Sequence, residues 1–432
     1  MPEIRSPGLL ERFHIVRHAL GIDSCVLSAA KYTHSENLSF SQQVLFPAIR
    51  SLITQHPALG IRLSKDTIAD QTHFVRLDSF DLSEVIHYVN QSYQELEEVF
   101  ESEFVKPFDT TRDLPLWRLT VLKDNTIVFA FHHGIGDGLS SVAFHRTLLR
   151  VLREQKQGPD SFVEKAFVPE NLKLVGASDQ LTDISPSWLE VIRAILGLFI
   201  PPSWTSASRA WTGHDVPAEI PSLQAYARIV QLPAMDAHRL ATLCRTHKAT
   251  ITSALHFIIT SSLSKTLQNP TYRSLITNKT TISSGIPVSL RPLTGASKDA
   301  ICDHPSASTL RTQSKTCKSQ IGLLKFLGGN YTGFFQGKLG KKRQTGVELS
   351  NLGRFELEEE GDGTGWEIQD IVFAQCDAVV GAAIKVNVAS APSGNMAICV
   401  TWGDSAVDHG LVDAFIAEMR LQISEILNGA KN

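Results

Sequence analysis

Residues Phe131 to Gly138 read FHHGIGDG, in which two adjacent histidines are followed by three spacers, an aspartate and a glycine. Imidazole, with an unperturbed pKa of about 6.5, suits the removal of a proton from a hydroxyl or amine at neutral pH. Where the electrophile is already activated, as in a thioester, that proton transfer is the main task and no covalent nucleophile on the protein is needed. The chain carries no GxSxG elbow and no catalytic-cysteine signature, which argues against serine-hydrolase or cysteine acyl-enzyme chemistry. His133 is therefore assigned as a general base and His132 as a structural neighbour. Asp137 stands just before Gly138, where its carboxylate can cap a helix.

The surrounding elements fit that role. Thr126 to His132 (TIVFAFH) reads as an apolar strand entering the motif. It is paired with Leu116 to Leu122 through a hairpin turn at Lys123, Asp124 and Asn125. A helix with Leu148, Leu149 and Leu152 on one face leaves the motif over Leu139 to Leu152. His133 then lies on a strand-to-helix turn, a place from which a ring can face a cavity. Upstream, Ser24 to Tyr32 reads as a strand, and Ser41 to Gln55 as a helix with an apolar stripe of Leu45, Ile49, Leu52 and Ile53. Together these make an N-terminal half over residues 1–160. A polar, Pro/Ser-rich connection over 161–215 leads to a C-terminal half over 216–432. There, Met235 to His247, Thr250 to Leu267 and Val412 to Leu427 read as helices. Strands are expected at Thr281 to Leu290, Glu367 to Gln375, Ala382 to Ala389 and Asn395 to Trp402. The fold class is α/β, with two halves of similar element order.

Composition narrows the function. A chain of 432 residues with 43% hydrophobic content can bury cores for two domains, so disorder is not its dominant state. A formal net charge of -3 gives no electrostatic footprint for nucleic acid or anionic membrane, and a small or neutral substrate fits better. The six cysteines are scattered, without CxxC or metal-ligand spacing, so neither zinc, any other metal, nor a disulfide framework is expected. The opening MPEIRSPGLLERF has no apolar run suited to a signal-peptide core, and the protein is expected in the cytoplasm as a monomer.

Trp188 to Trp204 (WLEVIRAILGLFIPPSW) is strongly apolar, yet interrupted by Glu190 and Arg193 and stopped by Pro201 and Pro202. It falls short of the roughly 20 apolar residues needed for a membrane span. Leu189, Ile192, Leu196 and Phe199 share one helical face, which reads first as a buried amphipathic helix. The alternative is a surface helix that touches lipid or lines a substrate entrance.

The motif HHGIGDG resembles the HHxxxDG superfamily of chloramphenicol acetyltransferase, condensation domains of nonribosomal peptide synthetases, and plant and fungal acyltransferases. ERFHIVRHALGIDSCV (Glu11 to Val26), PFDTTRDLPLWRLTVL (Pro107 to Leu122), ATITSALHF (Ala249 to Phe257), GIPVSLRPL (Gly285 to Leu293), ELSNLGRF (Glu348 to Phe355) and VFAQ (Val372 to Gln375) resemble it too. The likeness is closest to fungal alcohol acetyltransferase-like enzymes. The plant-type DFGWG motif is absent, and a GGNY element stands at Gly328 to Tyr331.

The resemblance implies two chloramphenicol-acetyltransferase-like α/β sandwich halves with an active-site tunnel between them. His133 would act as base, and Asp137 would form a bidentate structural pair with Arg291, turned away from the tunnel. Gly138 would leave room for the acyl chain, and Ser350, Asn351 and Gln375 would stand near the thioester. Acyl-CoA would be the co-substrate, with a small-molecule alcohol or amine as acceptor and no permanently bound cofactor. A carrier-protein-bound donor and a non-catalytic scaffold are the alternatives. The basic run Lys338, Lys341, Lys342 and Arg343 reads as a solvated loop before it reads as a CoA phosphate site. Glu356 to Asp362 reads as an exposed turn.

Overall fold

The computed structural model describes residues 3–65, 68–155, 163–199, 206–309, 321–357, 365–376 and 378–429. Two large sheets organise the chain. The first runs in the order Trp366–Gln375, Val26–His34, Thr126–Phe131, Trp117–Leu122, Ile86–Val89. It is antiparallel except where Ile86–Val89 joins Trp117–Leu122 in parallel. The second runs Ala225–Leu232, Met396–Gly403, Ile384–Ser390, Val347–Arg354, Ser284–Ser289, Pro305–Thr309 and is mixed. Every residue of TIVFAF is buried, as a central strand covered on both faces requires.

Three large cores among the described residues follow from this arrangement. One packs the helices Gln42–Gln55 and Gly138–Glu154 onto the first sheet, through Leu45, Ile49, Leu52, Phe129, Phe144 and Leu148. Another packs Ile251–Gln268 and His409–Gly429 onto the second, through Leu255, Ile259, Leu263, Val386, Val400 and Phe415. The third joins the sheets. Leu27, Val128 and Val372 meet Ala227, Ala397 and Cys399, with Phe100 of the helix Leu96–Phe104 among them. Strand Trp366–Gln375 comes from late in the chain yet pairs with Val26–His34, so sequence from both ends builds the first sheet.

Most predicted elements are present within a residue or two. Thr281 to Leu290 divides into Thr281–Ile282 and Ser284–Ser289. The predicted buried helix does not hold. Trp188–Phe199 is helical, but Leu189 is 56% exposed, Leu196 57% and Phe199 79%, with Val191 the buried contact. Helical spacing fixes which residues share a face, not what that face meets. Residues 200–204 of that segment and 358–362 of the acidic stretch lie outside the described residues. No helix among the described residues is long and apolar enough to cross a membrane.

Candidate active site

The motif is held by two local caps. Strand Thr126–Phe131 ends, and His132 caps the short turn His133–Ile135 by accepting the Gly134 amide on Nδ1 at 2.9 Å. His132 is fully buried beside His18, and burial first, then His18, lowers its pKa well below the ordinary imidazole value. Burial thus favours its neutral ring, whose Nδ1 serves the local turn. Asp137 then caps the helix Gly138–Glu154, accepting the Ser140 amide at 3.0 Å.

The same carboxylate meets Arg291. Both side chains are 5% exposed, and Arg291 Nη1 donates to Oδ1 at 2.9 Å and to Oδ2 at 2.8 Å. The expected two-pronged fork is absent. One guanidinium nitrogen spans both carboxylate oxygens, while Nη2 donates to Ser140 Oγ and to the Ala300 and Cys302 carbonyls. Nη2 goes there because Ser140 and the 300–302 backbone lie beside the carboxylate and offer further acceptors to the remaining guanidinium protons.

His133 is 15% exposed and lines a cavity of about 360 Å³ between the halves. Its Nδ1 is buried and faces Asp303 Oδ1 at 3.6 Å, so Nε2 is the ring nitrogen left for a substrate. The ring stacks on His14, with centroids 3.7 Å apart and planes 5° from parallel. His14 Nε2 in turn lies 3.7 Å from Asp303 Oδ2. Burial alone lowers an imidazole pKa, but the Asp303 carboxylate outweighs it at His133, whose pKa is raised. Burial pushes Asp303 up to about 7, against the pull of His133. His14 is lowered well below the ordinary value by burial and then by His133.

His14, His133 and Asp303 also offer three potential metal-ligand atoms within 4.8 Å of one another. Parallel stacked imidazoles direct their in-plane lone pairs side by side, whereas a shared ion needs them to converge.

Gly138, Ser350 and Gln375 line the same cavity, as do Arg17, Glu348 and Lys385. Asn351 does not line it. Its amide donates to Thr252 Oγ1 and its side-chain oxygen accepts the Gly353 amide. Successive residues of a strand point to opposite faces, so Glu348 and Ser350 enter the cavity and Asn351 cannot. At Gly138 a Cβ would come 2.7 Å from Leu352 Cδ2 and 2.9 Å from Phe373 Cζ. The glycine admits the close approach of Leu352 and Phe373.

The basic run scatters. Lys342 donates to the Ala207, Ser208 and Ala210 carbonyls, and Arg343 is buried against the Gly381 carbonyl. Lys338 reaches the cavity. Sequence reasoning missed His14, Asp303 and the Lys385–Glu348 ion pair at 2.7 Å. His14 lies inside a stretch resembling the superfamily. Nothing local marks Asp303.

Comparison with solved structures defines the class. The chain aligns over 97% of its length with the trichothecene 15-O-acetyltransferase of Fusarium sporotrichioides, covering 94% of that chain at TM-score 0.63 and 13% identity. It aligns over 99% with the condensation domain of the monacolin K polyketide synthase, covering 98% at TM-score 0.59 and 12% identity. The fold is thus the two-lobed, chloramphenicol-acetyltransferase-like one. An alcohol acetyltransferase family model matches residues 6–300 and 313–417, and the chain belongs to that family. Its relatives include a probable alcohol acetyltransferase of Aspergillus fumigatus, 24% identical over 467 residues, covering 94% of this chain and 96% of the relative. Another, from Fusarium pseudograminearum, is 23% identical over 465 residues, covering 95% and 92%.

Proposed function

We propose that this acyltransferase moves an acetyl group from acetyl-CoA to the hydroxyl of a small alcohol or hydroxylated natural product, with His133 as general base. The observation that carries the reading is the placement of His133 on the cavity wall, with Nδ1 backed by Asp303 and Nε2 left toward the cavity. Nε2 takes the proton of the bound alcohol as its oxygen attacks the thioester carbonyl. The C–O bond forms, the tetrahedral oxyanion collapses, the C–S bond breaks, and the thiolate receives the proton from the imidazolium. Ser350 and Gln375, which line the same cavity, are the groups assigned to the thioester oxygen. Acceptor and donor meet in one ternary complex, with no acyl-enzyme. The protein works as a cytoplasmic monomer in this reading.

Incubating the protein with acetyl-CoA and a panel of alcohols tests this through release of free thiol. Release that requires an acceptor supports it. The alignment with condensation domains favours a second reading, a donor carried on a carrier protein. Turnover with a loaded carrier protein and none with any CoA thioester would establish that instead.

A further inference from the structure

Asp303 presents a fully buried carboxylate whose two oxygens have no hydrogen-bond partner at ordinary distance. Such a group is expensive to bury and calls for an explanation. Its nearest polar neighbours are the two stacked imidazoles, His133 Nδ1 at 3.6 Å and His14 Nε2 at 3.7 Å, and the Nδ1 atoms of both rings are also buried without partners. A movement of a few tenths of an ångström converts these approaches into hydrogen bonds, as happens when catalytic sites tighten on substrate.

The backbone around Asp303 is held on both sides. The Cys302 amide donates to Ser140 Oγ at 3.1 Å, and the Cys302 carbonyl accepts from the Asp137 amide at 3.2 Å. The His304 amide donates to Asp137 Oδ2 at 3.3 Å. Asp303 is thus pinned to the same knot that fixes the catalytic turn. The carboxylate and the base are placed relative to one another by Asp137, Ser140 and Arg291.

We infer that Asp303 is a positioning residue for His133, holding the ring with its proton on Nδ1 and its lone pair on Nε2, and that His14 completes the network by donating to the second Asp303 oxygen. This deepens the proposed function and rests on it. Asp303 touches no substrate, since it lies behind the ring. The charged and titratable groups facing the network are otherwise engaged or neutral. Arg17 pairs with Asp23, Lys385 with Glu348, Glu11 with Arg5 and Asp137 with Arg291, while His132 and His18 are buried with lowered pKa values. Asp303 is pushed up to about 7 by burial, and His133 is raised despite burial, so the two titrate together. Neutral His133 beside ionised Asp303 is the working form, and it accumulates as pH rises through the upper apparent pKa of the pair.

The test is Asp303→Asn, read by kinetics and by imidazole NMR of histidine-labelled protein. With the carboxylate gone, the acid limb of kcat/KM and the His133 titration both move to lower pH by about one unit or more. The plateau kcat falls by about tenfold or more, and KM for alcohols stays near the wild-type value. Asp303→Glu restores part of the rate and moves the titration back. In wild type the His133 Nδ1 should be the protonated nitrogen of the neutral ring, a readout that needs no variant to fold. An unchanged His133 titration in Asp303→Asn, or Nε2 as the protonated nitrogen in wild type, overturns the inference whatever the activity. A wild-type protein that shows the coupled titration but transfers no acyl group overturns the functional reading and leaves the coupling standing.

Discussion

Asp137→Ala removes two main supports at once, and with them the acceptor of the His304 amide. The first is the buried ion pair. Arg291 Nη1 lies 2.8 Å and 2.9 Å from the carboxylate oxygens, with both side chains 5% exposed, so truncation strands a guanidinium away from water. Stranding one partner of a buried pair costs about 3 to 5 kcal/mol. The second support is the helix cap on the Ser140 amide, worth about 1 kcal/mol. The combined loss is a large fraction of the roughly 5 to 15 kcal/mol by which domains are stable. Arg291→Ala leaves the cap in place, and the carboxylate keeps the Ser140 and His304 donors, so its loss should be the smaller. The double variant leaves neither charge exposed to mismatch, and its loss should fall short of the sum of the singles by about 1 to 3 kcal/mol. Urea midpoints of the four proteins measure this cycle, with thiol release followed in parallel. Single variants that match wild type in midpoint, or losses that add fully in the double, would refute the reasoning.

His133→Ala should lower acyl transfer by about a hundredfold or more in a variant that still unfolds cooperatively; a folded variant with near-normal thiol release removes His133 from the role of base. Gly138→Ala should destabilise by about 1 to 3 kcal/mol through overlap with Leu352 and Phe373, and Leu352→Ala should recover part of the loss in the double variant, both read from melting temperatures. Stability should also fall as pH drops from about 6.5 toward 4. His18 and His56 are lowered to about 4 and His145 to about 3, each first by burial, so in that window the unfolded chain binds protons that the folded chain refuses. Each such histidine contributes a slope of up to about 1.4 kcal/mol per pH unit, partly opposed by His133 and Asp303, whose pKa values are raised. Urea midpoints that do not change between pH 7 and pH 5 would contradict this.

What could be read from the sequence was local. The apolar runs at Thr126–Phe131 and Trp117–Leu122 and the periodicity of Gly138–Glu154 fixed a strand-turn-helix around the motif, and the structure carries all three elements. Ser350 and Asn351 show where that reading stops. Without recognising Val347–Arg354 as a strand, both residues were assigned to the thioester, although alternation allows only one of two neighbours to face a given side. The helix Trp188–Phe199 fails differently. Its apolar face is real, but burial is decided by what packs against it, and that information lies elsewhere in the chain. Asp303 is the extreme case. It reaches His133 by tertiary placement, in a stretch with no spacing relation to the motif, and a lone buried carboxylate has no sequence signature.

The bonds that fix the catalytic turn are distributed unevenly between the halves. Asp137 and Ser140 come from the N-terminal half, whereas Arg291, Cys302, Asp303 and His304 come from the C-terminal half and supply most of the groups that hold them. Gly138 likewise packs on Leu352 and Phe373, from strands late in the chain. The turn that carries His133 is therefore held by groups from both halves of the chain. The cavity that must admit substrates lies on this seam. Any motion that opens the seam widely enough to disturb residues 302–304 also loosens the backing of the base.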